Sequence, residues 1–135
     1  VDLDIEDNVE FVGQISDMPG FLSSADFLVL PSFNEGLSRV LIEAMASGRP
    51  VITTDYEGAR EAVIPGKTGF VVPRRDVASL ARAIQELCCN SKLRIKMGMQ
   101  AREHALEHFS TERVVTELIS LYSEIEEAQM SRARW

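Results

Sequence analysis

Two carboxylates and a glycine stand where a ligand could be held: Glu35, Gly36 and, with seven residues between the acids, Glu43. They lie in LVLPSFNEGLSRVLIEAMASGRP, residues 28–50, an apolar run that breaks at Pro31-Ser32 and resumes after Gly36 with helical spacing. The spacing predicts a helix starting near Leu37, with Leu37, Val40, Leu41, Ala44 and Met45 on one stripe. Ser38 and the Asn34-Glu35 pair offer cap chemistry at its start, and Gly48 with Pro50 gives the stop signal. The first N–H groups of a helix have no internal partner and carry the positive end of its dipole, so a phosphate is stabilised at such a tip. Gly36 lets a ligand approach the main chain closely. At about 1.5 Å rise per residue, the two acids stand roughly 12 Å apart. Carboxylate pairs that share acid–base work on a glycosidic bond are separated by roughly 5 to 9.5 Å. Glu35 and Glu43 therefore read as separate ligand contacts.

A sheet must aim that tip. Residues 27–30 have the length of a strand buried on both faces, and Pro31 ends it where a ladder would lose a donor. Further strands are predicted at 9–12, closed by Gly13, at 50–54, and at 69–72, closed by Pro73. Between them fall a helix with Pro19 near its start and Asp17 as its cap, and a short helical stretch at 59–63. Ile64-Pro65-Gly66-Lys67 is a loop. From residue 74 onward the chain is helical, with apolar stripes through Val77–Cys88 spacing, Leu93, Met97, Ala101 and Ala105, and Val114, Leu118, Tyr122 and Ile125. Strands alternating with helices argue an α/β fold: a Rossmann-like parallel sheet with helices on both faces, followed by C-terminal helices. The organisation is a single domain over 1–135, with a lead-in at 1–8, sheet and helices at 9–73 and a helical region at 74–130. In such sheets ligands bind beyond the carboxyl ends of the strands, which is where the 32–38 turn falls.

Composition narrows the function classes. With 135 residues, 45% apolar and 26% charged, the chain has the make-up of one soluble globular domain. Its 21 acidic and 14 basic side chains give a net charge of −7, against a general nucleic-acid partner. No apolar run approaches the roughly 20 residues of a membrane span. Cys88 and Cys89 are adjacent and neighbours on a helix do not face each other, so no disulfide framework is implied and a reducing, cytoplasmic setting is expected. His104 and His108 have the spacing of a zinc pair, yet no third ligand accompanies them, and no metal is expected. Neither a Ser/His/Asp arrangement nor a Gly-rich Walker loop is present.

Pro31-Ser32, Glu35-Gly36, Glu43-Ala44-Met45-Ala46, Gly48 and Pro50-Val51 together resemble the E-x7-E signature of the family 4 retaining glycosyltransferases, which have the two-lobed GT-B architecture. Phe11-Val12-Gly13 upstream, and Gly58, Glu61, Gly66, Thr68-Gly69-Phe70 and Val72-Pro73 downstream, are similar to that family too. The likeness is close over 9–87 and looser beyond. It implies part of the C-terminal, donor-binding lobe of an enzyme that transfers a hexose from a nucleotide-diphosphate sugar, most often a UDP-sugar, with retained configuration. Under the resemblance Glu35 is the catalytic residue and a sugar contact. Gly36, Leu37 and Ser38 meet the donor sugar and diphosphate through the main chain. Glu43 accepts from the vicinal hydroxyls of the ribose, and Ile15 and Asp17 are candidates for the base. Gly58 reads as a turn glycine and Glu61 as a brace.

No metal or other cofactor is implied, since relatives stabilise the departing diphosphate with a helix N-terminus plus an Arg and a Lys. That basic pair falls upstream of Val1, and Arg39, Arg60 and Lys67 do not match it. The expectation is a partial lobe that lacks the N-terminal acceptor lobe, binds donor weakly and transfers nothing alone. The acceptor is unspecified, and the resemblance allows peripheral attachment at the cytoplasmic face of a membrane. The competing reading is a non-catalytic Rossmann-like module for protein interaction. The helix from Glu112 discriminates: its apolar stripe should be buried in the enzyme and exposed in the module.

Overall fold

A computed structural model describes residues 4–132; residues 1–3 and 133–135, the ends of the expected single domain, lie outside the described residues. After a 3-10 turn at Glu6–Asn8 come α1 (Met18–Ser24), β1 (Leu28–Leu30), α2 (Arg39–Ala46), β2 (Val51–Thr54), α3 (Glu57–Ala62), β3 (Gly69–Val72), α4 (Val77–Cys89), α5 (Ser91–Phe109) and α6 (Thr111–Arg132). Among the described residues the strands form one parallel sheet in the order β1-β2-β3, with Leu28 opposite Val51 and Val51 opposite Gly69.

The side-chain period of two sends alternate strand residues to opposite faces. Leu28, Leu30, Val51 and Val71 pack with Leu22, Leu41, Met45, Tyr56 and Ala101 on one face, beneath α1, α2, α3 and part of α5. Val29, Ile52, Phe70 and Val72 pack with Leu80, Ala83, Leu87 and Met97 on the other, beneath α4 and the start of α5. Covering both faces explains why β2 is buried along its whole length. At about 1.5 to 3 kcal/mol for each fully buried Leu, Ile or Met, these two layers dominate the stability.

Local signals set most boundaries. Asp17 caps α1, accepting from the Gly20 N–H at 3.0 Å; Asp76 caps α4 and Asn90 caps α5 in the same manner. α2 ends in a Schellman motif: Gly48 takes φ 73° and donates to the Met45 carbonyl, and Arg49 N–H donates to that of Ala44.

Three expectations fail. Residues 9–12 do not join the sheet, and Phe11 is 94% exposed. Their β-branched and aromatic composition favours a strand only where a neighbour pairs with it and an apolar face covers it, and neither is present among the described residues. α2 starts at Arg39, two residues later than the apolar stripe suggests, because Ser38 is extended at φ −77° and ψ 117° and takes the N-cap position. Asn34 and Glu35 consequently lie outside the helix and do not cap it. The stripe on α6 is exposed: Val114, Val115, Leu118, Ile119, Leu121, Tyr122 and Ile125 are 44% to 67% accessible. α6 leaves the body after Phe109, so its apolar face meets no layer of the core among the described residues.

His104 on α5 stands beside His108, with ring centroids 4.5 Å apart, and edge-on to Phe109. Burial lowers its pKa, and the His108 charge lowers it further; the Ala62 carbonyl and Glu107 oppose this, and Lys67 adds to it. The folded value therefore lies below the ordinary one, and the unfolded chain takes up the proton first as pH falls. The stability tied to a neutral His104 is complete above about pH 6.5 and is lost as pH drops through that value toward the depressed folded one. His104→Gln should flatten the fall in melting temperature below about pH 6.5, measured by thermal unfolding across pH. An unaltered slope would contradict this.

Candidate functional site

The carboxyl ends of the three strands meet at the segment 31–38. Pro31 closes β1 and the main chain turns out into an exposed loop containing Phe33, Asn34, Glu35, Gly36 and Leu37 before Ser38 returns it to α2. Glu35 accepts a hydrogen bond from the Ser32 hydroxyl at 2.7 Å, which fixes the carboxylate over its own turn. Ser38 is buried, but its side chain makes no cap bond, and no acid occupies the first turn of α2. The N-termini of α1, α4 and α5 have a side-chain oxygen engaged; those of α2 and of the short α3 do not. The first N–H groups of α2 keep their capacity for an external acceptor.

Glu43 lies in α2 with its side chain one-third exposed and pairs with Arg39 at 3.1 Å. Such an i,i+4 pair is worth about 0.3 to 0.5 kcal/mol. Hydrogen bonds to a charged group contribute about 1.5 to 3 kcal/mol. Residues 35–38 are not helical, so the 12 Å spacing taken from helical rise holds only for the part from Arg39 onward. Each acid has its own partner, Ser32 for Glu35 and Arg39 for Glu43.

Asp17 has its carboxylate on the first turn of α1, and Ile15 is half-buried in the segment before it. No hydrogen bond among the described residues joins either of them to the 32–38 turn.

Sequence reasoning passed over what holds the turn. The Thr54 hydroxyl, at the end of β2, donates to the Ser32 carbonyl. Arg74, just past β3, donates from Nη1 to the Phe33 carbonyl at 3.0 Å and from Nε to the Asp55 carbonyl at 2.8 Å. Arg60 forks onto the Asp55 carboxylate at 2.6 and 2.8 Å and, chiefly through that hydrogen bond, lowers the Asp55 pKa. Gly58, in α3, lies so close to Gly36 that a Cβ there would collide with the Gly36 carbonyl and the Leu37 nitrogen. The glycine was visible in the sequence as a turn residue, but its closeness to Gly36 depends on how α3 packs.

A cleft of about 210 Å³ lies behind this turn, lined by residues that include Ser32, Phe33, Thr54, Val72 and Arg74. Ligand sites span roughly 300 to 1,000 Å³, so it is too small for a nucleotide sugar. The larger concavity of about 790 Å³ is lined by α5 residues alone, from Lys92 to Leu106, and is an open groove beside one helix. No three His, Cys, Asp or Glu side chains converge among the described residues in a way that could hold a metal ion.

The family model described as glycosyl transferases group 1 matches residues 2–104. The chain belongs to the group 1 glycosyltransferases. It is 35% identical over 116 residues to the capsular polysaccharide biosynthesis glycosyltransferase CapM of Staphylococcus aureus, covering 86% of this chain and 30% of that protein. It is 40% identical over 106 residues to the D-inositol 3-phosphate glycosyltransferase of Corynebacterium efficiens, covering 78% of this chain and 25% of that one. Among solved structures it superposes on sucrose-phosphate synthase from Thermosynechococcus elongatus with a TM-score of 0.85 and 36% identity, over 92% of this chain and 32% of that one. It superposes on Anabaena HepE in complex with UDP-glucose with a TM-score of 0.82 and 26% identity, over 88% and 33%. This group 1 glycosyltransferase chain thus spans about a third of the length of proteins it matches, and its parallel sheet is that of the GT-B C-terminal domain.

The contact between α3 and the turn makes a prediction whose sign is informative. On helix propensity alone Gly58→Ala would stabilise this glycosyltransferase domain by about 1 kcal/mol. The collision with Gly36 should instead destabilise it by about 1 to 3 kcal/mol, read by urea denaturation; a gain in stability would contradict the close approach.

Proposed function

We propose that this chain is the donor-binding part of a retaining glycosyltransferase of family 4, of the hexosyltransferase type, which takes a nucleotide-diphosphate sugar, a UDP-sugar first. The observation that carries the reading is the N-terminus of α2: a helix tip without a side-chain cap, opening from the Glu35-Gly36 turn at the carboxyl edge of a parallel sheet. The neighbour HepE, solved with UDP-glucose, supports the ligand class.

In this reading Gly36, Leu37 and Ser38 present main-chain groups to the donor sugar and diphosphate, and the dipole of α2 offsets the charge that develops on the leaving diphosphate. Glu43 releases Arg39 and accepts from both ribose hydroxyls. Glu35, held by Ser32, reaches the sugar and is the catalytic residue. Ile15 and Asp17 border the base, with Asp17 remaining bound to α1. In this reading the reaction needs no metal, the α2 tip offsetting charge on the diphosphate. Transfer breaks the bond from the anomeric carbon to the diphosphate and forms one to an acceptor oxygen with retained configuration. Acceptor binding belongs to a separate N-terminal lobe, so this chain by itself binds donor weakly and transfers nothing. The whole enzyme works in the cytoplasm, a setting that includes the cytoplasmic face of a membrane; among the described residues no helix is long and apolar enough to cross one.

One observation favours the competing reading of a non-catalytic interaction module, namely the exposed stripe of α6. It leaves the donor site untouched, and family membership weighs toward the enzyme. Titration separates the roles of the two acids. Glu43→Ala should weaken UDP and UDP-glucose alike, by about tenfold or more for the loss of charged hydrogen bonds. Glu35→Ala should weaken UDP-glucose and leave UDP within about twofold. Equal losses for both ligands in both variants would contradict the assignment. If UDP-, GDP- and ADP-sugars all leave the melting temperature of the chain unmoved at high concentration, the interaction module is the better reading.

A further inference from the structure

The turn that carries Glu35 is gripped by a residue distant in sequence. Arg74 lies 41 residues beyond Phe33 and 19 beyond Asp55, and its guanidinium donates to the main-chain carbonyls of both, at 3.0 and 2.8 Å. One side chain therefore ties together the segments that follow β1, β2 and β3. The Asp55 carboxylate is occupied by Arg60, so Arg74 takes the carbonyl and makes no ion pair there. Bonds from a charged donor are stronger than neutral ones, and the planar fork of arginine reaches two acceptors in fixed directions, which an ammonium does not. The neighbouring Arg75 adds a second hold on Phe33, with its guanidinium 5.6 Å from the ring centroid. Phe33 is 60% exposed and is not fixed by burial. Its position, two residues before Glu35, follows from these two arginines and from the Thr54 hydroxyl on Ser32.

We infer that Arg74 is a positioning residue for Glu35. By fixing the Phe33 carbonyl it sets where the Glu35 carboxylate stands relative to the sugar of the donor, while itself touching no ligand. The inference rests on the donor-site reading given above. Its consequence is selective: loss of Arg74 should spoil recognition of the sugar and spare the nucleotide, because Gly36 and Leu37 are packed against Gly58, and the N-terminus of α2 and Glu43 are held by the helix and not by Arg74.

The test is a heteronuclear NMR titration of this chain with UDP and with UDP-glucose, for the wild type, Arg74→Met, Arg74→Lys, Glu35→Gln and the Arg74→Met/Glu35→Gln pair. Thermal unfolding of each variant runs alongside. Arg74→Met should lose about fivefold in affinity for UDP-glucose and stay within about twofold for UDP. Arg74→Lys, which keeps the charge but lacks the planar fork whose Nε and Nη1 each meet one carbonyl, should behave like the methionine variant. In the Glu35→Gln background the methionine substitution should change neither ligand further. Equal loss for UDP and UDP-glucose, a lysine variant that matches the wild type, or an undiminished Arg74→Met effect without Glu35 would each overturn the inference. A wild-type chain that binds neither ligand would instead overturn the donor-site reading, and this inference with it.

Discussion

No side chain caps the first main-chain N–H groups of α2, and the loop that precedes them is held by directional contacts from other elements. A helix tip left without a side-chain partner stays satisfied only by water or by a ligand, and three of the other helices avoid that state through Asp17, Asp76 and Asn90. α2 has no such partner. The parallel sheet gives this tip its direction, since every strand points its carboxyl end the same way and the loops gather at one edge. Burial of Leu41, Ala44 and Met45 under that sheet fixes the helix axis, and the Schellman motif at Gly48 fixes its end.

Around the tip, the scaffold holds a loop that has almost no core of its own. Glu35, Gly36 and Leu37 are exposed; Thr54 and Arg74 hold the main chain at Ser32 and Phe33 before them, and Gly58 packs against Gly36 and Leu37. Thr54 and Gly58 flank the β2–α3 connection, and Arg74 lies in the β3–α4 one. This division suits a ligand-binding edge: buried apolar residues supply the stability, and a few directional bonds supply the geometry.

What the sequence made legible follows from the range of the interactions. The strand at 27–30, seen at Leu28–Leu30, the strand at 69–72, the cap at Asp17 and the stop at Gly48 are patterns carried by a few adjacent residues, and each is present in the fold. The 9–12 stretch has strand composition but needs a pairing partner, which composition does not encode. The delayed start of α2 came from Ser38, a cap residue placed inside the apolar stripe. The α6 stripe was legible as a helix face, yet nothing in it told whether a core would meet it. Arg74 carried no signal at all, because a single basic residue between Pro73 and Arg75 acquires its role only when 33 and 55 are brought to its side by the sheet.

The account is tested most directly by a crystal structure of this chain with UDP-glucose. It predicts diphosphate oxygens within about 3 Å of main-chain nitrogens at the start of α2, with Glu43 on the ribose in place of Arg39 and Glu35 turned to the hexose. A donor seated elsewhere, such as the groove beside α5, with the tip of α2 facing only water, would contradict it.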